Sequence, residues 1–133
     1  LTDKVAIVTG SSKGLGLASA RALVDEGCRV AICARGAGDL DAAAEELTRA
    51  AGRSDRVLAV TADVATEEGC AKVVAATTSR FGRVDILVND AAYNKWIAFQ
   101  DLDAMTYEEW QKILDVNLTG PMLCIKAVAP IMR

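Results

Sequence analysis

Val5-Ala6-Ile7-Val8-Thr9-Gly10-Ser11-Ser12-Lys13-Gly14-Leu15-Gly16 is the stretch on which the reading of this chain turns. Four consecutive apolar residues are what a strand buried on both faces of a parallel sheet requires. The glycine-rich segment follows at once and opens a helical pattern over residues 14–26. Gly10 permits the backbone angles of a sharp strand-to-helix turn. Gly14 and Gly16 allow a pyrophosphate to approach the backbone and the helix to pack close to the sheet. The helix N-terminus supplies unpaired N–H groups and a partial positive charge. Ser12, Lys13 and Leu15 fall inside this loop and join the glycines as candidate cofactor contacts. The spacing is G-x-x-x-G-x-G rather than G-x-G-x-x-G, and no G-K-[S/T] ends it, so it is not a P-loop. The bland alternative, a glycine-rich turn without a ligand, is disfavoured by the strand before it and the helix after it.

Outward from this unit the pattern repeats. The first helix groups Leu15, Ala18, Ala22 and Leu23 on one face, and Gly27 is placed to end it. Residues 30–33 form a second apolar run. Leu40, Ala43, Ala44 and Leu47 then give a helical period closed by Gly52. Residues 57–60 read as the third strand. Thr66 caps a third helix, with Glu67 and Glu68 in its first turn and Val73, Val74 and Phe81 toward the core; Gly82 ends it. Residues 84–88 read as the fourth strand. A polar loop carrying Tyr93 and Trp96 leads to Thr106-Tyr107-Glu108-Glu109, a capping box. The helix it opens carries Trp110, Ile113, Leu114 and Leu118, and Gly120-Pro121 is expected to bend or interrupt it. Strands alternating with helices must pair in parallel through right-handed crossovers. The fold class is therefore α/β: a doubly wound parallel sheet in three α/β/α layers.

Composition narrows the function. At 133 residues the chain is one domain, and 52% hydrophobic with 25% charged residues excludes disorder. A net charge of −3 without a dense Lys/Arg run argues against a nucleic-acid partner. There is no His, and Cys28, Cys33, Cys70 and Cys124 form no C-x-x-C pair, so a zinc site is not expected. Cys28 and Cys33 read as small buried hydrophobes, in keeping with a reducing cytoplasm. The opening Leu1-Thr2-Asp3-Lys4 runs straight into a strand and is no signal peptide, and no apolar run approaches the ~20 residues of a membrane span.

The end of the second strand reads Ala34-Arg35, where a dinucleotide fold selecting the unphosphorylated ribose would place an acid. The planar fork of Arg35 suits a 2′-phosphate, and Lys13 adds a second positive charge. Together they favour NADP(H) over NAD(H); the alternative is a pair of ordinary surface cations.

These residues give the chain a resemblance to the short-chain dehydrogenase/reductase family. The family's T-G-x-x-x-G-x-G loop is Thr9 to Gly16. Its Asp-Val after the third strand matches Asp63-Val64, and its N-N-A-G element matches Asn89-Asp90-Ala91-Ala92. Its V-N-x-x-G pattern matches Val116-Asn117-Leu118-Thr119-Gly120. The resemblance covers the whole chain and implies a Rossmann-like sheet in the order 3-2-1-4. It implies that Asp63 and Val64 contact the adenine, although Asp63 is also readable as a carboxylate that only orders its turn. It places Asn89 and Ala91 along the nicotinamide side. It makes Asn117 the catalytic Asn, which positions a water in a proton relay; the competing reading is a helix-packing amide. Asp90 and Ala92 depart from the family pattern. Ala92 adds a methyl and Asp90 a charge beside the cofactor, and Asp90 is alternatively a substrate-facing acid.

The family's catalytic Ser and Y-x-x-x-K pair are not found in these 133 residues. Tyr93 and Tyr107 are followed four residues on by Ile97 and Gln111. The resemblance thus implies an NADP(H)-dependent oxidoreductase of a ketone/secondary alcohol pair. Residues 1–133 would be its dinucleotide-binding part, incomplete at the C-terminus and inactive or nearly so alone. The alternative is a non-catalytic NADP-binding module. A small carbonyl or alcohol is the expected substrate, and a homodimer or homotetramer through the last helix the expected assembly. Strand four is expected to be an exposed apolar edge prone to association. The loop residues Tyr93, Asn94, Lys95 and Trp96 either border the substrate pocket or simply pack.

Overall fold

The computed structural model describes residues 1–132. Its centre is β1 (Val5–Thr9), with all five residues buried. A strand so apolar must be covered on both faces and paired on both sides. It pairs in parallel with β2 (Arg29–Ala34) on one side and β4 (Ile86–Val88) on the other, and β3 (Val57–Thr61) adds beyond β2. The order β3-β2-β1-β4 is the one the resemblance implied. Ile7 stands opposite both Ala31 and Leu87.

The period-two alternation of these strands divides the interior. Ala6, Val8, Val30 and Ile32 face α1 (Gly14–Asp25) and α2 (Ala37–Ala51). Ile7, Ala31, Cys33 and Val60 face the other way, toward α3 (Glu67–Phe81) and α5 (Gly120–Met132). The result is three layers, as the sequence leads one to expect.

The first helix presents a different face from the one anticipated. Of the expected residues only Leu23 packs, partly buried, on the core; Leu15 is 78% exposed, Ala18 and Ala22 are exposed, and Gly16, Ala20 and Val24 are buried instead. Gly16 sets this phase: a Cβ there would collide with the carbonyl of Gly10, so the helix touches the sheet at that residue. The four-residue spacing then carries Ala20 and Val24 inward. In α2 the expected Leu40, Ala43 and Leu47 are buried, and Gly52 closes the helix in the left-handed conformation. In α3, Thr66 Oγ1 accepts the N–H of Gly69, and Val73, Val74 and Phe81 face the core.

Strand β4 is shorter than the apolar run suggests. At its start the Asp85 carboxylate accepts the Val5 N–H at 2.9 Å, and the Asp85 N–H donates to the Val5 carbonyl at 2.8 Å. A side chain thus takes a place that ladder backbone would fill.

From Tyr107 to Met132 the chain is one helical run of α4 (Tyr107–Leu114), a π turn (Asp115–Thr119) and α5. Gly120-Pro121 does not break it. Pro121 sits in the first turn of α5, and the irregularity precedes it as the π turn. Having no N–H, Pro121 cannot donate to the Asn117 carbonyl four residues earlier, so regular α-helix cannot continue there. By length and composition alone these 26 residues could cross a membrane, although Glu108, Glu109, Lys112, Asp115 and Lys126 interrupt every long apolar run in them. Here Gly120, Cys124 and Val128 are buried in the face that packs on α3.

Candidate functional site

At the carboxyl ends of the four strands lies a cavity of about 570 Å³. Gly10 crosses its floor with φ +64° directly beneath the loop that follows β4; a Cβ there would stand 2.6 Å from Ala91 Cα. Gly14 has φ +59° and nothing within 4 Å of its absent Cβ. Space above Gly14 is what an approaching phosphate needs. Lys13, at the N-cap of α1, offers no side-chain cap, and no acid occupies the first helical turn. The N–H groups there keep their capacity for an anion. A bound dinucleotide fits these residues.

Of the positions singled out in the sequence, Gly10, Ser12, Lys13, Gly14 and Leu15 line the cavity along its glycine loop. Arg35 lines it at the end of β2. Asp63 and Val64 line it after β3, and Ala91 after β4. Gly16, Asn89 and Asn117 do not. Gly16 lies under the loop, packed on the Gly10 carbonyl. Asn89 is exposed beside the cavity.

Lys13 and Arg35 are exposed, and neither makes an ion pair among the described residues. Asp39, in the first turn of α2, also reaches the cavity wall. It sits four residues beyond Arg35, where a search for an acid at the strand end passes over it.

Asp63 combines its two readings. Its Oδ1 accepts the Ala65 N–H at 3.0 Å and so orders the turn, while the residue itself lines the cavity. Asp90 faces the glycine loop: one carboxylate oxygen lies 2.8 Å from where a Gly16 Cβ would be. Asp90 also lines the cavity, so it stands between the glycine loop and the space a ligand would fill. Ala92 is part of the cavity wall, as the extra methyl led one to expect.

Two hydroxyl residues that the sequence reading passed over hold the cavity together. Thr9 is buried, and its Oγ1 accepts the N–H groups of both Asp90 and Ala91 at 3.1 Å. Ser11 is also buried; its Oγ donates to the Val8 carbonyl at 2.6 Å and accepts the Cys33 N–H at 3.0 Å. Together they tie the ends of β1, β2 and β4 to one loop. The signal was present as hydroxyls interrupting an apolar run, where burial demands partners.

Asn117 lies in the π turn. Its carboxamide is spent on the loop after β4: Nδ2 donates to the Tyr93 carbonyl and Oδ1 accepts the Tyr93 N–H, both at 2.8 Å. Tyr93 is held again at its far end. Its hydroxyl donates to Glu109 at 2.9 Å, and the Lys112 ammonium lies 4.0 Å from its ring centre. The Tyr93 bond, with Lys95 beside it, holds the Glu109 carboxyl below its ordinary range. Thr106 caps α4 by accepting the Glu109 N–H, but Glu109 turns to Tyr93 instead of completing the capping box. Tyr93 therefore packs, whereas Trp96 is 85% exposed. At the cavity floor, burial pushes the Cys33 thiol up to about 12, which keeps it a neutral wall group.

The sheet order, the flanking helices and the crevice at the strand ends define a Rossmann-like, doubly wound α/β protein. The chain belongs to the short chain dehydrogenase family, whose profile matches residues 4–133. It is 38% identical over 133 residues to a 3-oxoacyl-[acyl-carrier-protein] reductase of Synechocystis, covering 99% of this chain and 51% of that protein. It is 37% identical over 132 residues to a galactitol 2-dehydrogenase of Agrobacterium fabrum, covering 99% of this chain and 48% of the other. Among solved structures it superposes on the L-sorbose reductase of Gluconobacter frateurii, complexed with NADPH and L-sorbose. The TM-score is 0.89 at 36% identity, over 99% of this chain and 48% of that one. The chain spans about half the length of the relatives it matches.

Proposed function

We propose that residues 1–133 form the dinucleotide-binding part of an NADP(H)-dependent oxidoreductase that interconverts a ketone and a secondary alcohol. The observation that carries the cofactor assignment is the placement of Lys13 and Arg35 on one cavity, both without a carboxylate partner among the described residues. Arg35 presents its fork to the 2′-phosphate, and Lys13 adds charge from the head of α1. The uncapped α1 N–H groups above Gly14 receive the pyrophosphate, and Asp63 and Val64 border the adenine. Asn89 and Ala91 flank the nicotinamide. When bound, the nicotinamide supplies or accepts the hydride. Solved reductases of similar structure with bound NADPH agree with this reading.

Asn117 acts in this reading as a positioning residue. Its side chain holds the loop at Tyr93, and the family resemblance gives it the further task of positioning a water in a proton relay. The proton itself must come from elsewhere. Tyr93 is committed to Glu109, and neither Tyr93 nor Tyr107 is followed by Lys at the fourth position. That observation also favours a second reading, a segment that binds NADP(H) without turning over substrate. We further propose assembly through the last helix, whose Leu118, Met122 and Ile125 are more than half exposed.

A fluorescence titration of the purified chain with NADPH and NADH tests the reading. Tighter binding of NADPH is expected, by about tenfold for one charge-assisted pairing of ~1.4 kcal/mol. Equal affinities overturn the phosphate assignment, and no binding of either overturns the cofactor site.

A further inference from the structure

Cys70 and Cys124 take no part in the cavity. Cys70 ends the first turn of α3, and Cys124 lies one turn into α5. Both are buried, at 1% and 4% exposure, and their sulfur atoms stand 3.2 Å apart. The sequence supplies the cause. A Cβ at Gly69, beside Cys70, would collide with the Asp63 carbonyl. A Cβ at Gly120, one turn before Cys124, would stand 2.9 Å from the Val64 carbonyl. Two glycines thus draw the starts of two helices onto one loop, and the residues behind them meet sulfur to sulfur.

The other two cysteines are differently placed. Cys33 shares the apolar cluster but points its thiol at the Val8 carbonyl, 3.8 Å away. Cys28 lies in the cluster on the opposite side of the sheet. All four thiols are free.

We propose that Cys70 and Cys124 form an oxidative modification site, a dithiol that closes to an intrachain disulfide across α3 and α5 on meeting a hydroperoxide. A disulfide is about 2.05 Å long, so the sulfur atoms, 3.2 Å apart, must approach by roughly 1 Å. Cys70 is assigned as the attacking sulfur: burial raises both thiols, but the contact between the two sulfur atoms offsets that rise at Cys70 and adds to it at Cys124. The Cys70 thiolate attacks one oxygen of hydrogen peroxide; the O–O bond breaks, and the departing hydroxide takes a proton and leaves as water. This leaves a sulfenic acid on Cys70. The Cys124 sulfur then attacks the Cys70 sulfur, the S–O bond breaks, and a second water leaves with the Cys124 proton. Two thiols and one peroxide become one disulfide and two waters. Burial makes the step slow and selects for an oxidant near the size of water. Closure also takes the Cys70 S–H from the Val64 carbonyl, which it meets at 3.2 Å in the reduced protein.

The test treats the native full chain with hydrogen peroxide, quenches, alkylates under denaturing conditions and maps the peptides by mass spectrometry. The expected result is a loss of two hydrogen masses, two alkylatable thiols in place of four, and one cross-linked pair joining Cys70 to Cys124. Dithiothreitol should reverse it, and Cys33→Ser should leave it intact. Oxygen addition at these cysteines without a cross-link overturns the proposal, as do cross-links through Cys28 or Cys33 in equal yield. The wild-type chain decides the matter, so no result hangs on whether a Cys70 or Cys124 variant folds.

Discussion

Asn117 and Tyr93 are joined by two hydrogen bonds of 2.8 Å, one in each direction, between a side-chain amide and a backbone peptide group 24 residues away. The amide imitates a strand partner for a loop that has none. It also joins the π turn of the long helix to the segment bordering the cavity. Replacing Asn117 by Ala removes both bonds, at an expected cost of about 1–2 kcal/mol because the groups left behind are partly reachable by water. Asn117→Asp should cost more, since a carboxylate cannot donate to the Tyr93 carbonyl and repels it instead. Urea unfolding of the three chains checks this. A stability of Asn117→Asp equal to wild type would show that the amide is not the clamp.

Gly10 and Gly14 both have positive φ, yet they should respond differently to a methyl group. At Gly10 the new Cβ meets the Ala91 backbone at 2.6 Å; at Gly14 it meets nothing. Gly10→Ala should therefore incur backbone strain plus a steric clash and lose more than about 2 kcal/mol of stability. Gly14→Ala should lose only about 1 kcal/mol of stability but weaken NADPH binding, because its methyl fills the space above the α1 N-terminus. Thermal unfolding and the same fluorescence titration separate the two. Comparable stability losses with unchanged binding would remove Gly14 from the cofactor site.

What the sequence disclosed follows from how local the physics was. Residues 5–16 specify strand, turn and helix by themselves, because apolar run, glycine spacing and helix start are all contiguous. The sheet order came from resemblance, since periodicity cannot say which parallel strands are neighbours. The face of α1 was misread because hydropathy favoured Leu15, whereas the decisive contact is Gly16 on the Gly10 carbonyl, a steric fact that carries no hydrophobic signal. Thr9 and Ser11 were passed over for a related reason: their partners lie at the ends of other strands. Asp39 was missed because it enters the cavity from the first turn of a helix rather than from the strand end that was searched.

Asp85 gives the fold a dependence on acid. Its carboxyl is held below the ordinary carboxylate range first by the Arg83 guanidinium, then by the Val5 N–H, with Lys4 adding to both. A carboxyl whose pKa is lowered on folding stabilises the native state at neutral pH and down to its unfolded value near 4. That contribution disappears as pH falls further through the folded value. Arg83 is largely exposed, so its share weakens with salt, but the Val5 bond does not depend on screening. Asp85→Asn should lose about 1–2 kcal/mol at pH 7 and show a shallower decline below pH 4. Unfolding curves from pH 7 to 2.5 test this, and acid limbs of identical slope in the two proteins would reject it.

Cofactor choice should rest on the contest between Arg35 and Asp39. Both line the cavity, Arg35 at the end of β2 and Asp39 in the first turn of the helix that follows. A 2′-phosphate placed there gains from the guanidinium fork and loses to the carboxylate, while a ribose hydroxyl gains only from the carboxylate. Arg35→Asp removes the attraction and adds a second repulsion, so NADPH affinity should fall by about 10–100-fold as one or two charge-assisted contacts are lost. NADH affinity should hold or rise. Asp39→Asn should do the reverse, strengthening NADPH binding a few-fold, most clearly at low ionic strength where surface charge is least screened. Titrating both cofactors against the three chains at two salt concentrations measures every term. If Asp39→Asn shifts both cofactors equally, Asp39 acts on the dinucleotide as a whole and not on the 2′ position, and Lys13 with Arg35 alone must account for any preference.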